Sequence, residues 1–282
     1  MNRRMIEEKL FIGLMLVSLV IVLGSLLSVF VVVIINGAPA LSISMITQTP
    51  KGGYYLGKEG GVLNAIVGSF YLATGATLLS FLFSLPIALY IYEYVRSLRH
   101  TVSIRLSLDV LAGIPSIVFG TFAFTLMIVL GARTSLLWGM ITVSLFLIPT
   151  MTRAIDEVLR TVPPKLRETS FSLGSTRLEL LSKVVIRQIL PGLLTAILLS
   201  FGRAIGDAAA VLLTTGYTDS IPRSLTDPVA TLPLAIFFQL ATPIPEVQQR
   251  AYASGVILLV IVLSLSILSR ISMKRLMKYV VR

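Results

Sequence analysis

Residues 10–35 contain no charged side chain. As an α-helix this run extends roughly 39 Å at about 1.5 Å per residue, enough to cross a hydrocarbon core of about 30 Å with some tilt. In water such a helix would expose apolar surface all round, so it calls for lipid as its surroundings. It is too long for the apolar core of a signal peptide, and no clear small-residue cleavage site follows, so it reads as a retained span. Five more largely apolar runs follow, at 62–94, 104–130, 134–153, 188–214 and 251–271. Only 13% of the chain is charged and 55% is hydrophobic, whereas a soluble domain carries about 25% charged residues. The pattern predicts an all-α, polytopic membrane protein of about six transmembrane helices. Pro86 in the second run and Pro115, close to Gly113, in the third predict kinks.

The net charge is +11. A basic chain can bind nucleic acid, but here the basic residues sit at the ends of apolar runs, which fits membrane topology better. Arg3, Arg4 and Lys9 precede the first run, and Arg96, Arg99 and Arg105 separate the second from the third. Arg153, Arg160, Lys165, Arg167, Arg177, Lys183 and Arg187 lie between the fourth and fifth. Arg270, Lys274, Arg275, Lys278 and Arg282 end the chain, while the alternate connections hold only Lys51, Lys58, Arg133, Arg223 and Arg250. This bias predicts that both termini and the fourth connection are cytoplasmic. It divides the chain into a cytoplasmic N-terminus (1–9), a first transmembrane helix (10–35), a five-span core (62–271) and a basic cytoplasmic C-terminus (272–282). Within the core, 154–187 is a cytoplasmic loop and 215–250 an external one. The Gly-rich stretch 51–61 reads as an exposed loop. In the proline-rich stretch 217–250, residues 232–240 read as a short interfacial or re-entrant helix. There is no cysteine, so no disulfide or thiolate site exists. His100 is the single histidine and reads as interfacial, because no second histidine can share a metal with it.

The connection from Arg153 to Arg187 is long for a link between spans and is not of low complexity. Pro163-Pro164 stops one helix and can start another. Glu168 then falls in the early turns of a new helix, where a carboxylate is favoured. Phe171, Leu178, Leu181 and Val185 recur at helical spacing as one apolar stripe. Gly174 sits inside the pattern, where glycine costs up to about 1 kcal/mol, so it marks a turn or a close backbone approach. Two short helices with a bend are expected along the membrane surface. They can rest on anionic lipid or insert into a groove of a soluble partner. The bend favours the second, since a helix lying on lipid gains nothing from it.

At this point the residues resemble a family. Glu168-Thr169-Ser170-Phe171-Ser172-Leu173-Gly174 resembles the "EAA…G" loop of ABC importer permeases, with Thr169 and Ser170 in place of two alanines. In that family the loop forms a coupling helix seated in a cleft of the ATP-binding subunit. The family pattern continues with a hydrophobic pair and Leu-Pro, where this chain reads Val184-Val185-Ile186-Arg187, and Leu190-Pro191-Gly192 comes four residues later. Ile114-Pro115-Ser116-Ile117-Val118-Phe119-Gly120, Gly202-Arg203-Ala204-Ile205-Gly206-Asp207 and Ala230-Thr231-Leu232-Pro233-Leu234 are similar to the phosphate-importer permeases, and the single coupling loop, short N-terminal tail and basic C-terminus resemble their PstA type. The resemblance runs over nearly the whole chain. It implies the type I ABC importer permease fold, with Glu168, Thr169, Ser170 and Gly174 coupling to an ATPase. The implied partners are a homologous permease subunit, two cytoplasmic ATP-binding subunits carrying ATP and Mg, and an extracytoplasmic phosphate-binding protein. The implied location is the inner membrane of a prokaryote, with no cofactor on this chain.

Arg203 and Asp207 lie four apart in the fifth run and can pair on one helix face. An ionisable group at bilayer depth costs about 2.5–3.5 kcal/mol on insertion scales and is a functional candidate by default. Either the two form a packing salt bridge, or Arg203 offers its fork to a tetrahedral oxyanion while Asp207 neutralises it in the empty site. Gly202 and Gly206 read as packing residues. Asp109, with Arg105 four residues earlier, is expected near the cytoplasmic interface as a capping or pairing residue. No Gly-x-x-x-x-Gly-Lys-Ser/Thr occurs, so the driving force must come from another polypeptide or an ion gradient. The reading is an ATP-driven phosphate importer subunit. Its rivals are a permease for another oxyanion, such as molybdate or sulfate, and an ion-gradient transporter, whose inverted repeat is not seen here.

Overall fold

The computed structural model describes residues 3–51, 59–95 and 97–276. Parts of the expected loop at 51–61 (residues 52–58), Arg96 and the last residues of the basic C-terminus, 277–282, therefore lie outside the described residues. The described elements are α1 (Arg3–Gly37), α2 (Ile43–Thr47), α3 (Leu63–Glu93), α4 (Leu98–Gly113), α5 (Ser116–Val129) and α6 (Leu136–Leu159). Then come α7 (Pro164–Ser172), α8 (Arg177–Glu179), a π-helix (Leu180–Val185), α9 (Ile186–Gly206), α10 (Leu232–Leu240) and α11 (Pro245–Leu276). A two-strand hairpin, β1 (Pro50–Lys51) and β2 (Glu59–Gly60), joins α2 to α3.

Among the described residues, five helices are long and apolar enough to cross a membrane, and six spans result if the bent pair α4–α5 is one of them. The centre is the triangle of α3, α6 and α9. Small residues bring α3 and α6 together: a Cβ on Gly75 would collide with Met140, and one on Gly139 with Thr215 and Leu72. One apolar cluster fills the middle, with Leu72, Ala76, Val143, Phe146, Leu147 and Ile205. A second, with Met151, Ile155, Leu159, Leu180, Val185 and Ile189, lies at the end that carries α7. A third, with Met45, Val62, Leu232 and Ala253, closes the opposite end. The helix α1 stands outside this core, packs on α11 with Val33 against Gly255, and leaves most of its apolar side chains from Leu10 to Ile35 exposed.

Several expected boundaries shift, each for a local reason. The third run, 104–130, is two helices bent by 87°. Ile114 precedes Pro115 and is driven into extended backbone (φ −69, ψ 130), which ends α4. Pro86, by contrast, lies inside α3 without interrupting it. The fourth helix runs on past 153 to Leu159, so Arg153 belongs to α6 and not to the connection. The fifth helix stops at Gly206 instead of 214. Asp207 turns to extended backbone (φ −84, ψ 121), and its Oδ1 accepts the Ala210 N–H at 2.8 Å. The following stretch is not helical although Ala210, Val211, Thr214 and Thr215 are fully buried. Its backbone groups are met inside the protein: Thr214 O accepts from Ser135 N and Thr215 O from Val229 N, both at 3.0 Å. Irregular backbone is tolerated at such depth only when protein surrounds it. The short helix expected at 232–240 is α10, with Leu232, Pro233 and Leu234 buried.

Candidate functional site

The connection between α6 and α9 is a bent helical elbow. Pro163 is extended (φ −60, ψ 131) and Pro164 occupies the first position of α7, where its missing N–H is harmless. Gly174 adopts φ +80 and has open space where a Cβ would be. The glycine therefore serves the turn, since within this chain no backbone approaches it. Ser170 and Ser175 fasten the turn: their hydroxyls are 2.6 Å apart, and Ser175 Oγ also donates to Ser170 O at 2.8 Å. Thr176 then starts α8 with a reciprocal cap, accepting from Glu179 N while Glu179 Oε2 accepts from Thr176 N. The rod continues through the π-helix into α9, so Arg177–Gly206 is one span. Pro191 sits inside it without breaking it.

The four residues of the expected coupling motif divide. Glu168, Thr169 and Gly174 are exposed, whereas Ser170 is buried and holds the bend. Glu168 lies in the second turn of α7, beyond the first turn where the helix dipole acts most strongly. The single apolar stripe is not formed. Leu181 and Val185 are buried, while Phe171 and Leu178 are exposed, because the turn at Gly174 and the wider π-helix place them on different sides. With Leu173, which is 83% exposed, Phe171 and Leu178 leave an apolar patch on the elbow.

Two buried carboxylates that the sequence did not single out hold this end together. Asp156 of α6 accepts both N–H groups of the Arg105 fork, at 2.8 and 2.9 Å, and also receives Arg153 at 3.3 Å and Arg160 at 3.2 Å. Asp109 pairs with Arg153 at 2.6 Å instead of with Arg105, so α4 is bound crosswise to α6. Glu93 ends α3 with its side chain fully buried and accepts from Arg167 of α7 at 3.1 Å. Arg177 of α8 lies 3.9 Å from the same oxygen, with its guanidinium 5.5 Å from the centre of the Tyr94 ring.

Arg203 and Asp207 are brought near one another in sequence only. With α9 ending at Gly206 the i, i+4 relation is lost, and no ion pair joins them among the described residues. Arg203 is exposed and its guanidinium stands 5.1 Å from the centre of the Phe146 ring, a cation–π contact. A Cβ on Gly202 or Gly206 would meet nothing within 4 Å, so neither glycine serves packing within this chain. Arg203, Leu199, Gly202 and Gly206 thus share an open face of α9. His100 is exposed in the first turn of α4. Among the described residues no group of three or more His, Cys, Asp or Glu side chains is placed to hold a metal.

Residues 101–280 match the family described as "Binding-protein-dependent transport system inner membrane component". The phosphate transport system permease protein PstA of Haemophilus influenzae is 32% identical over 269 residues, covering 95% of this chain and 94% of its own. The probable phosphate transport system permease protein PstA of Methanocaldococcus jannaschii is 27% identical, covering 96% and 95%. Among solved structures, a chain of the bacterial alginate ABC transporter, in complex with a periplasmic protein bound to alginate pentasaccharide, superposes with a TM-score of 0.68. It is 13% identical and covers 99% of each chain. A chain of the inward-facing MetNI methionine ABC transporter gives a TM-score of 0.62 at 16% identity, covering 76% of this chain and 95% of that one.

Proposed function

Because this chain belongs to the binding-protein-dependent transport system inner membrane components, we propose that it is the membrane-spanning permease subunit of an ATP-driven importer of inorganic phosphate. The observation that carries the reading is the likeness, along nearly the full length of both chains, to permeases of phosphate transport systems. The chain itself is not catalytic, and ATP with its Mg belongs to partner subunits. The elbow of α7, Gly174 and α8 is the docking piece for one of two ATP-binding subunits in the cytoplasm. Its exposed Glu168 and Thr169 and its apolar patch of Phe171, Leu173 and Leu178 supply a polar and an apolar contact side by side. Hydrolysis moves the elbow, and the continuous rod from α8 into α9 carries that movement toward Arg203.

A homologous permease subunit covers the open face of α9 that Gly202 and Gly206 leave clear. Phosphate then passes between the two chains, and Arg203 meets it with an always-charged planar fork. An extracytoplasmic phosphate-binding protein delivers it at the end bearing α10. This arrangement puts the end rich in Lys and Arg, with both termini, in the cytoplasm of a prokaryote, with the chain in its inner membrane.

The test is uptake of labelled phosphate by cells whose own high-affinity system is deleted and which express the complete four-component importer. Uptake should vanish on ATP depletion, survive collapse of the proton gradient, and resist excess molybdate and sulfate. Arg203→Gln should lower it at least tenfold with the complex still assembled. Uptake that follows the proton gradient, or that molybdate or sulfate abolishes, would refute the proposal.

A further inference from the structure

Glu93 has an unusual position for a carboxylate. It is the last residue of α3, where the helix dipole disfavours an anion, and its side chain is fully buried. A buried charge persists only when paired. Here the pairing comes from both limbs of the elbow. Arg167 precedes Gly174 and Arg177 follows it, and both reach Oε1 from half-exposed positions, at 3.1 and 3.9 Å. The other oxygen, Oε2, is buried with no hydrogen-bond partner. Each arginine also lies against an aromatic ring, Arg167 on Phe171 within the elbow and Arg177 on Tyr94 just past the end of α3.

The rest of the attachment is slight. Leu166 packs on the apolar cluster at this end, and α7 itself packs mainly on the π-helix. Among the described ion pairs, the only one from α7 to a transmembrane helix is the one to Glu93. The path through α8 continues as one rod into α9, with the π-helix packed on α6 through Leu180, Leu181 and Val185, whereas Glu93 gives both limbs of the elbow a direct polar tie to α3, which is packed along its length on α6.

We infer that Glu93 is a positioning residue for coupling: it ties both limbs of the elbow to the end of α3, so that elbow movement reaches α3 and α6 as well as α9. This rests on the reading of the elbow as the ATPase docking piece. Its half-filled coordination suits the task, since the spare oxygen lets either arginine change places on the carboxylate without leaving it. Being fully buried, Glu93 itself is out of reach of the ATPase.

The experiment uses the complete importer in proteoliposomes with its binding protein, and measures phosphate uptake and ATP hydrolysis together. The wild type must take up phosphate on ATP; if it does not, the functional reading fails whatever Glu93 does. Glu93→Gln keeps the shape and removes the charge. The expected result is complex yield and hydrolysis within about twofold of wild type, with phosphate carried per ATP reduced at least tenfold. The paired variant Arg167→Gln with Arg177→Gln, at partly exposed positions, should show the same loss. Adding Glu93→Gln to it should change the ratio by less than twofold. Wild-type coupling in Glu93→Gln overturns the inference. So does a further multiplicative loss in the triple variant, which would place the arginines against the ATPase. If Glu93→Gln prevents assembly while the paired variant assembles and couples normally, Glu93 serves folding only and the inference is also overturned.

Discussion

Asp156 and Glu93 lie at the same end of the bundle, and both are buried carboxylates met by arginines, yet they are built differently. Asp156 has both oxygens filled, by a bidentate fork from α4, by Arg153 of its own helix and by Arg160 just past that helix's end. Glu93 has one oxygen filled and one bare. The first arrangement has one geometry and fixes α4 to α6. The second leaves one oxygen without a side-chain partner and holds the elbow that we propose to move. The contrast teaches that burial of a charge does not by itself say whether a joint is rigid; the completeness of its hydrogen bonds does.

Neutralising the rigid joint should have the largest effect. Asp156→Asn leaves Arg105 and Arg160 facing a neutral group, while Arg153 keeps Asp109, and should destabilise the chain by about 3 kcal/mol, because breaking a buried pair strands the partner charges. Thermal unfolding in detergent reads this, and an unchanged midpoint would erase the distinction between the two joints. Gly174→Ala forces a side chain into left-handed backbone and should cost about 1–2 kcal/mol, felt at the elbow. Proteolysis of the solubilised chain at Lys165, Arg167 and Arg177 should quicken while the midpoint of the spans stays put. Glu93→Gln should cost about 1 kcal/mol or less, since Arg167 and Arg177 can turn to water. A stability loss equal to that of Asp156→Asn would mean the joints are alike. Arg160→Gln should have the smallest effect, below about 1 kcal/mol, because Arg160 is about half exposed and Asp156 keeps two other arginines.

Much of this was legible in the sequence, and the limits have physical causes. The spans follow from apolar length, and α10 and the glycine turn from composition and spacing. The family was legible from 168–174 and 202–207. The break at Ile114 was signalled only as a kink by Pro115, because apolar character is the same on both sides of it. The end of α9 was hidden, since Ala208, Ala209, Ala210, Val211 and Leu212 read as helix, and it is one hydrogen bond from Asp207 that turns the chain. The pairing of Asp109 was misread because a neighbour four residues away was preferred to Arg153, which is distant in sequence. Nothing in the sequence marks Glu93, near the end of the second apolar run; its arginines lie more than seventy residues on. Long-range pairs of this kind leave no periodicity to read.

The π-helix at Leu180–Val185 has a consequence for how such chains vary in length. A π segment is an α-helix with one residue inserted, absorbed as a local bulge. Deleting the exposed Ser182 would let the bulge revert to regular helix while Glu179 before it and Ile189 after it keep their faces. The junction between elbow and α9 is thus a place where related chains can gain or lose one residue without rotating the face of α9 that carries Arg203, a tolerance that the middle of α9 does not have.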